Sequence, residues 1–292
     1  MSKYSRSRVI GVLGMHRSGT SLCSRLVNLL GASLGPEEEL LGGGPDNPDG
    51  FWENVRILDV HERILKKIGR FWHDILPLPD GWWMASEMAP FQREIENLIR
   101  NYVNESNVWA WKDPRNGILL PLWRPVLNDL GLSPDYIICV RNPIDVALSL
   151  ANIHGFSLAK SMCLWQLYNL SALHWTRGSQ RVLLSYDDLM DHRETCLSEL
   201  VVALKSRFGW PVAGDHRPLA EAVKSGLRHN VHHVEDVLQH NDIPEPVKRL
   251  YVLLLRGARN PALVSARAFS LETGRLYTEY CQYAPMIAGA FA

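Results

Sequence analysis

Short apolar runs alternate along this chain with longer stretches of helical periodicity. Val9-Ile10-Gly11-Val12-Leu13 is brief, β-branched and followed by a glycine-bearing turn, the pattern of a buried strand. Leu22, Leu26, Leu29 and Leu30 then recur at helical spacing from Thr20, and Gly31 is a plausible stop. Residues 35–50 are rich in Gly and Pro and predict a long functional loop. A helix is predicted from near Glu53 to about Lys67, and an aromatic-rich loop over 71–90. Val108 to Trp111 and Tyr136 to Val140 read as further buried strands, and Arg181 to Leu184 as another. Helices are expected after Pro114, from Pro143 to about Ile153, and over roughly Leu158 to Trp175. Beyond about 193 the pattern is mostly helical.

Strands alternating with helices argue for an α/β fold, a P-loop-like parallel sheet flanked by helices on both faces, with a mainly helical C-terminal part. The 292 residues carry no repeat and parse most simply as one domain, 1–292. With 46% hydrophobic and 21% charged residues the chain can bury a sizeable core. Lys plus Arg equals Asp plus Glu, so no basic excess points to nucleic acid or an anionic membrane, and any anion site must be local. Five widely spaced cysteines without a CxxC fit reduced thiols, and the N-terminus lacks the apolar core of a signal peptide. No run approaches the ~18 apolar residues of a membrane span. A cytoplasmic protein is the expectation.

Between the first strand and its helix lies Gly14-Met15-His16-Arg17-Ser18-Gly19-Thr20-Ser21, with the spacing of a P-loop. Glycines let successive backbone N–H groups turn toward one anion, and the helix N-terminus adds its positive dipole end. Thr20 stands where a nucleotide triphosphatase has Lys, and the cation moves to Arg17. Loss of that Lys argues against ATP or GTP hydrolysis, in which it cradles the β- and γ-phosphates.

The loop Met15 to Ser21 resembles the 5′-phosphosulfate loop of the sulfotransferase superfamily, P-[KR]-S-G-T-[TS], with His16 in place of the usual proline. Val140-Arg141-Asn142-Pro143, with Ser149 eight residues after Arg141, is similar to the family's 3′-phosphate motif. Trp111-Lys112-Asp113-Pro114-Arg115 is similar to the KDP motif of tyrosylprotein sulfotransferases and many bacterial relatives. Asn47-Pro48-Asp49-Gly50-Phe51-Trp52-Glu53 is a weaker echo of a bacterial N-P-x-G-[YF]-x-E stretch. The resemblance covers residues 9 to about 190. It implies a sulfotransferase that moves a sulfuryl group from 3′-phosphoadenosine 5′-phosphosulfate (PAPS) to a hydroxyl acceptor, a carbohydrate or small metabolite, without a metal. It implies that Arg17, Ser18, Gly19, Thr20 and Ser21 hold the 5′-phosphosulfate and that Arg141 and Ser149 hold the 3′-phosphate. Lys112 would neutralise charge as the S–O bond breaks.

Glu53 is the first candidate for general base, because relatives use a carboxylate from the segment after the phosphate loop. His16, Asp49 and Asp113 are alternatives, Asp113 more plausibly orienting Lys112. Trp72, Trp82, Trp83 and Trp165 are candidates to line an acceptor pocket, though such residues are more often core or lid packing. Arg228, His229, His232 and His233 form a basic cluster whose bland reading is a solvated helix face; a loop closing over the nucleotide is the functional one. A P-loop small-molecule kinase and a non-catalytic nucleotide-binding protein are the alternative readings. Acceptor identity and oligomeric state are not legible.

Overall fold

All the strands named from sequence form, and every one is buried on both faces. The computed structural model describes residues 7–44, 47–210, 212, 217–224, 226, 228 and 230–291. β1 (Arg8–Leu13), β2 (Val108–Lys112), β3 (Asp135–Val140) and β4 (Arg181–Ser185) make one parallel sheet in the order β2-β1-β3-β4. Side chains alternate strictly. Val9, Leu13, Trp109, Trp111, Tyr136, Ile138 and Leu183 face one core, and Ile10, Val12, Ala110, Ile137, Cys139 and Leu184 face the other. This two-sided burial is why the strands read as continuous apolar runs.

The second core is closed by α1 (Thr20–Leu29), which packs on β1 and β2. The first core is covered by α2 (Val55–Lys67), α3 (Ala89–Glu105), α4 (Asn116–Asp129), α5 (Pro143–His154) and α6 (Leu158–Trp175). α7 (Tyr186–Asp191) follows β4 directly, and Ser185 caps it by accepting from the Asp188 N–H. α8 (Arg193–Ser206) and α9 (Arg217–Ala222) join the second core. α10 (Val234–Gln239) leads to α11 (Glu245–Arg259) and α12 (Pro261–Val264), which lie against β4, while α13 (Arg267–Ile287) packs on α6. The C-terminal part is helical, as its periodicity indicates.

Two differences from the sequence reading have plain causes. α3 was not anticipated, although Ile95, Leu98, Ile99, Tyr102 and Val103 form a helical stripe that packs on α4. The prolines and tryptophans just before it obscured where the loop ends. That loop, 71–90, holds two short 3-10 turns, Trp82–Met84 and Ser86–Met88. α2 starts at Val55 and not at Glu53, because the Asn54 side chain accepts from the Arg56 and Ile57 N–H groups at 3.0 and 3.3 Å. This N-cap leaves Glu53 outside the helix.

Gly11 lies where two aromatic rings cross the sheet. A Cβ there would sit 2.7 Å from Tyr136 Cδ1 and 2.9 Å from Trp111 Cη2. Trp111 is itself wedged between Trp109 and Trp123, with ring centroids 5.6 and 5.5 Å away. Gly11→Ala is expected to cost ~1–3 kcal/mol through overpacking, measured by urea denaturation. Asp135 opens β3, and burial pushes its carboxyl up to about 7, with Arg8 opposing. A carboxyl raised in the fold costs stability once it must ionise. Asp135→Asn is therefore expected to gain in Tm over the parent as pH rises from about 4 to about 7, a gain that thermal scans across that range would detect.

Candidate active site

The chain between β1 and α1 is forced into an unusual path. Gly14 and Gly19 have φ of +148° and +85°, and Arg17, a non-glycine residue, has φ of +69°. A Cβ on Gly19 would lie 2.4 Å from Tyr186 Cδ2, and one on Gly14 would lie 2.8 Å from the Cys139 carbonyl. The loop is thus pressed between the end of β3 and the start of α7. Gly19 is the N-cap of α1 and makes no side-chain cap, so the helix N-terminus opens toward this loop. Left-handed backbone at a bulky residue is strain that clusters at functional sites.

The loop after β1 and the end of β3 meet each other. Arg141, at the end of β3, donates from Nη1 to the Arg17 carbonyl at 3.0 Å, and its guanidinium lies 4.6 Å from the Tyr186 ring centroid. Arg17 Nε donates to Ser149 Oγ at 2.9 Å, so Ser149 partners Arg17 in addition to lying near Arg141 in sequence. Among the described residues Arg141 makes no ion pair, and its Nε has no partner. Asn142 caps α5 through the Ile144 N–H, and its own N–H donates to Asp187 Oδ2 at 2.8 Å. Burial pushes Asp187 up to about 6, against the Asn142 N–H and Arg228.

Lys112 ends β2, and its ammonium reaches three groups. It donates to Glu53 Oε1 at 2.6 Å, to the Phe51 carbonyl at 2.8 Å and to Ser21 Oγ at 3.3 Å. The Lys112 side chain is 1% exposed and that of Glu53 9%. Burial raises the Glu53 carboxyl above its ordinary value, and Lys112 pulls it back down. Asn47 Nδ2 bonds Ser21 Oγ at 3.3 Å and the Gly50 carbonyl at 2.7 Å, so the Gly/Pro-rich segment forms a wall of the same site.

Arg17, Gly19, Thr20, Ser21, Glu53, Lys112, Arg141 and Ser149 all line one cavity of about 380 Å³. Ser18 is fully buried, and its Oγ has no partner. Asp49 also lines this cavity, while Asp113 differs from expectation. Asp113 does not orient Lys112: it accepts from the Arg115 N–H at 2.7 Å and from its Nη1 at 3.2 Å, and lies 3.6 Å from His61. Burial would raise the Asp113 carboxyl, but Arg115 and His61 hold it far below the usual range. Asp49 pairs with Lys224 at 2.7 Å.

Of the four candidate tryptophans only Trp72 lines the cavity; Trp82 and Trp165 are core, and Trp83 packs on Trp175. His229 lies outside the described residues. The segment over Arg228 and 230–233 is not a solvated helix face. Arg228 bonds Asp187 and Asp191, His232 Nδ1 lies 2.6 Å from Asp145 Oδ1, and Asn142 Nδ2 donates to the His232 carbonyl at 2.9 Å. No group of three or more His, Cys, Asp or Glu among the described residues could hold a metal, and no helix among them is long and apolar enough to cross a membrane.

Tyr186, Arg115 and Arg25 are among the lining residues to which sequence reasoning gave no role. Tyr186, under Arg141, carries no motif. Arg115 was read only as the end of the KDP segment. Arg25 lies one turn beyond the loop on α1, and its guanidinium is 4.8 Å from the Trp52 ring; only its helical register with Ser21 hinted at it.

No protein-family model and no curated protein matches the sequence. Among solved structures, the chain is similar to the sulfotransferase domain from the Synechococcus PCC 7002 olefin synthase, at 17% identity and a TM-score of 0.45 over 96% of this chain and 97% of that one. It is also similar to the sulfotransferase domain from the curacin biosynthetic pathway, at 15% identity and a TM-score of 0.41 over 94% of this chain and 97% of that one.

Proposed function

We propose that this chain is a sulfotransferase that uses PAPS to sulfate a hydroxyl acceptor. The observation that carries the reading is the convergence of three strand-end motifs on one cavity: the Arg17–Ser21 loop, Arg141 with Ser149, and the Lys112–Glu53 pair. The residues fit a bisphosphorylated nucleotide. Arg141 has an unsatisfied guanidinium Nε, Ser18 has an unsatisfied hydroxyl, and the N-terminus of α1 opens where an anion would lie. In this reading Arg17, Ser18, Gly19, Thr20 and Ser21 hold the 5′-phosphosulfate. Arg141 and Ser149 hold the 3′-phosphate.

When bound, the donor supplies an activated sulfuryl group on a phosphate leaving group. The protein's own task is then electrostatic and geometric. Lys112 and Arg17 offer positive charge to the oxygen that becomes negative as its bond to sulfur breaks. Glu53 takes the proton of the acceptor hydroxyl. The Lys112–Glu53 bridge places the cation and the base side by side at one point of the cavity. Burial holds Glu53 more basic than a solvated carboxylate, which favours proton transfer near neutral pH. Lys112 is also what keeps Glu53 ionised despite that burial.

Ligand binding and turnover measurements test the assignment. 3′-Phosphoadenosine 5′-phosphate is expected to raise Tm, and ATP with magnesium is not; stabilisation by ATP alone would favour a kinase. Arg141→Ala is expected to weaken the bisphosphate by ~1.5–3 kcal/mol in calorimetry, the value of a charged hydrogen bond. Unchanged affinity would remove the 3′-phosphate assignment. Lys112→Ala should lower kcat with donor affinity largely retained, and Glu53→Gln should remove most turnover in a labelled-donor assay. In the parent, kcat/KM should fall as pH drops through the raised Glu53 value, and that limb should vanish in Glu53→Gln. A parent-like profile in Glu53→Gln would exclude it as the base.

A further inference from the structure

Leu41 runs beside residues 51–53, and the pairing between them is irregular. The Phe51 N–H donates to the Leu41 carbonyl at 3.3 Å, and the Leu41 N–H donates to the Glu53 carbonyl at 2.7 Å. In a regular antiparallel ladder one residue would exchange both bonds with Leu41. Here the two bonds are divided between Phe51 and Glu53, and Trp52 is looped out between them. Leu40 and Asn54 form an antiparallel bridge alongside, so the looped residue is a bulge in a short pairing. Trp52 has φ of +58°, in the left-handed region that such bulges normally fill with glycine. A bulky residue is disfavoured there, and its surroundings hold it in place. The indole Nε1 donates to the Asp49 carbonyl at 2.9 Å, the Arg25 guanidinium lies 4.8 Å from the ring, and the ring packs against the second core. Gly50 leaves room for the indole to fold back, since a Cβ there would lie 3.3 Å from Trp52 Nε1.

In an extended strand the N–H and C=O of one residue point to the same side, so Phe51 would turn both toward Leu41. Its carbonyl turns instead to Lys112 Nζ, at 2.8 Å. Two residues on, Glu53 Oε1 meets the same ammonium at 2.6 Å. Lys112 is thus gripped by the residues on either side of the bulge. Beyond Glu53 the Asn54 side chain caps α2, which fixes the far end of the segment. The direction in which Phe51 and Glu53 face is therefore set at Trp52.

We propose that Trp52 is a positioning residue: its left-handed backbone brings the Phe51 carbonyl and the Glu53 carboxylate onto Lys112 together, and its indole clamps the bulge that does so. With an extended residue at 52 the pairing would regularise on one partner of Leu41, and Phe51 or Glu53 would leave the ammonium. What Lys112 and Glu53 do to a substrate rests on the sulfotransferase reading; how Trp52 holds them does not. Bulges next to active sites commonly re-aim a side chain in this way.

The experiment reads the Lys112–Glu53 contact directly. Carbon-detected NMR follows the Glu53 carboxyl through a pH titration of the full chain, and Glu53→Gln identifies its signal. Burial raises this carboxyl and Lys112 lowers it, with Asp113 and Arg115 also acting on it. In the parent, Lys112→Met is therefore expected to move the midpoint up by about one pH unit, a tenfold change in proton affinity. The same replacement is then made in Trp52→Asn and Trp52→Val. Asn tolerates a left-handed backbone, whereas a β-branched side chain of comparable size does not. The upward shift should persist in Trp52→Asn and largely vanish in Trp52→Val, in which the contact is already broken. Circular dichroism checks that each variant folds; if either does not, Trp52→Gly against Trp52→Ala makes the same comparison across one methyl group. Equal shifts within a pair overturn the proposal: both large means that the backbone at 52 does not position the contact, and both small means that the indole alone does. The titration needs no ligand. If 3′-phosphoadenosine 5′-phosphate fails to raise the parent's Tm, the sulfotransferase reading falls and the role of Trp52 is still decided by the titration.

Discussion

Parallel strands end on the same side of a sheet, and the chemistry of this molecule depends on that constraint. β1 delivers the Arg17–Ser21 loop, β2 delivers Lys112, β3 delivers Arg141 and β4 delivers Tyr186, all to one edge. An antiparallel neighbour would have carried its functional residue to the opposite end. The crevice at the carboxyl ends of an open parallel sheet is where such folds bind ligands, and here that crevice holds the charged residues of the site. The helices can vary in length and packing without moving these ends, because strand register fixes them. Ile10 sits across from Ala110, and Val12 from both Lys112 and Ile137.

The loop after β1 turns this convergence into contact. Gly19 allows Tyr186 to come close enough that any side chain would clash, and Tyr186 then supports the Arg141 guanidinium. Arg141 bonds the carbonyl of Arg17, whose own side chain bonds Ser149. One chain of interactions therefore runs from the first strand's loop to the third strand's end and onto α5. Each link is short and partly buried, so the positions of the two guanidiniums are set before any ligand arrives. Such preorganisation is the main contribution a protein can make to a transfer between two bound groups.

Much of this was legible in sequence, for identifiable reasons. Strands buried on both faces give unbroken apolar runs, so β1 and β3 were found within a residue of their ends. Glycine at a left-handed position and a cation in a strand-to-helix turn are local signals, so the loop was legible too. What failed was long-range. No local pattern says that Asp113 turns to Arg115 and His61 and leaves Lys112 to Glu53, because that choice depends on where α2 lies. The start of α2 was missed because Glu53 is a plausible first-turn residue, while the Asn54 cap takes that place. Trp72 could not be separated from Trp82 and Trp83 by composition, since only the fold decides which indole reaches the cavity.

The distribution of charge is compatible with the proposed anion site in a chain of zero net charge. Most buried cations around the cavity carry their own carboxylate: Lys112 has Glu53, Arg115 has Asp113 and Glu62, and Arg228 has Asp187 and Asp191. Lys112 and Glu53 match one to one, while Arg115 and Arg228 each face two carboxylates, so these groups position one another more than they attract an anion. Arg141 differs: its direct contacts are a carbonyl and an aromatic ring, it makes no ion pair among the described residues, and Asp187 acts on it only at longer range. Together with the positive end of α1, this sets a positively charged zone beside a wall of ion-paired side chains. A ligand that is strongly anionic at one end and neutral at the other matches that division. In the proposed reading, a bisphosphorylated donor would take the positively charged zone and a hydroxyl acceptor the ion-paired wall.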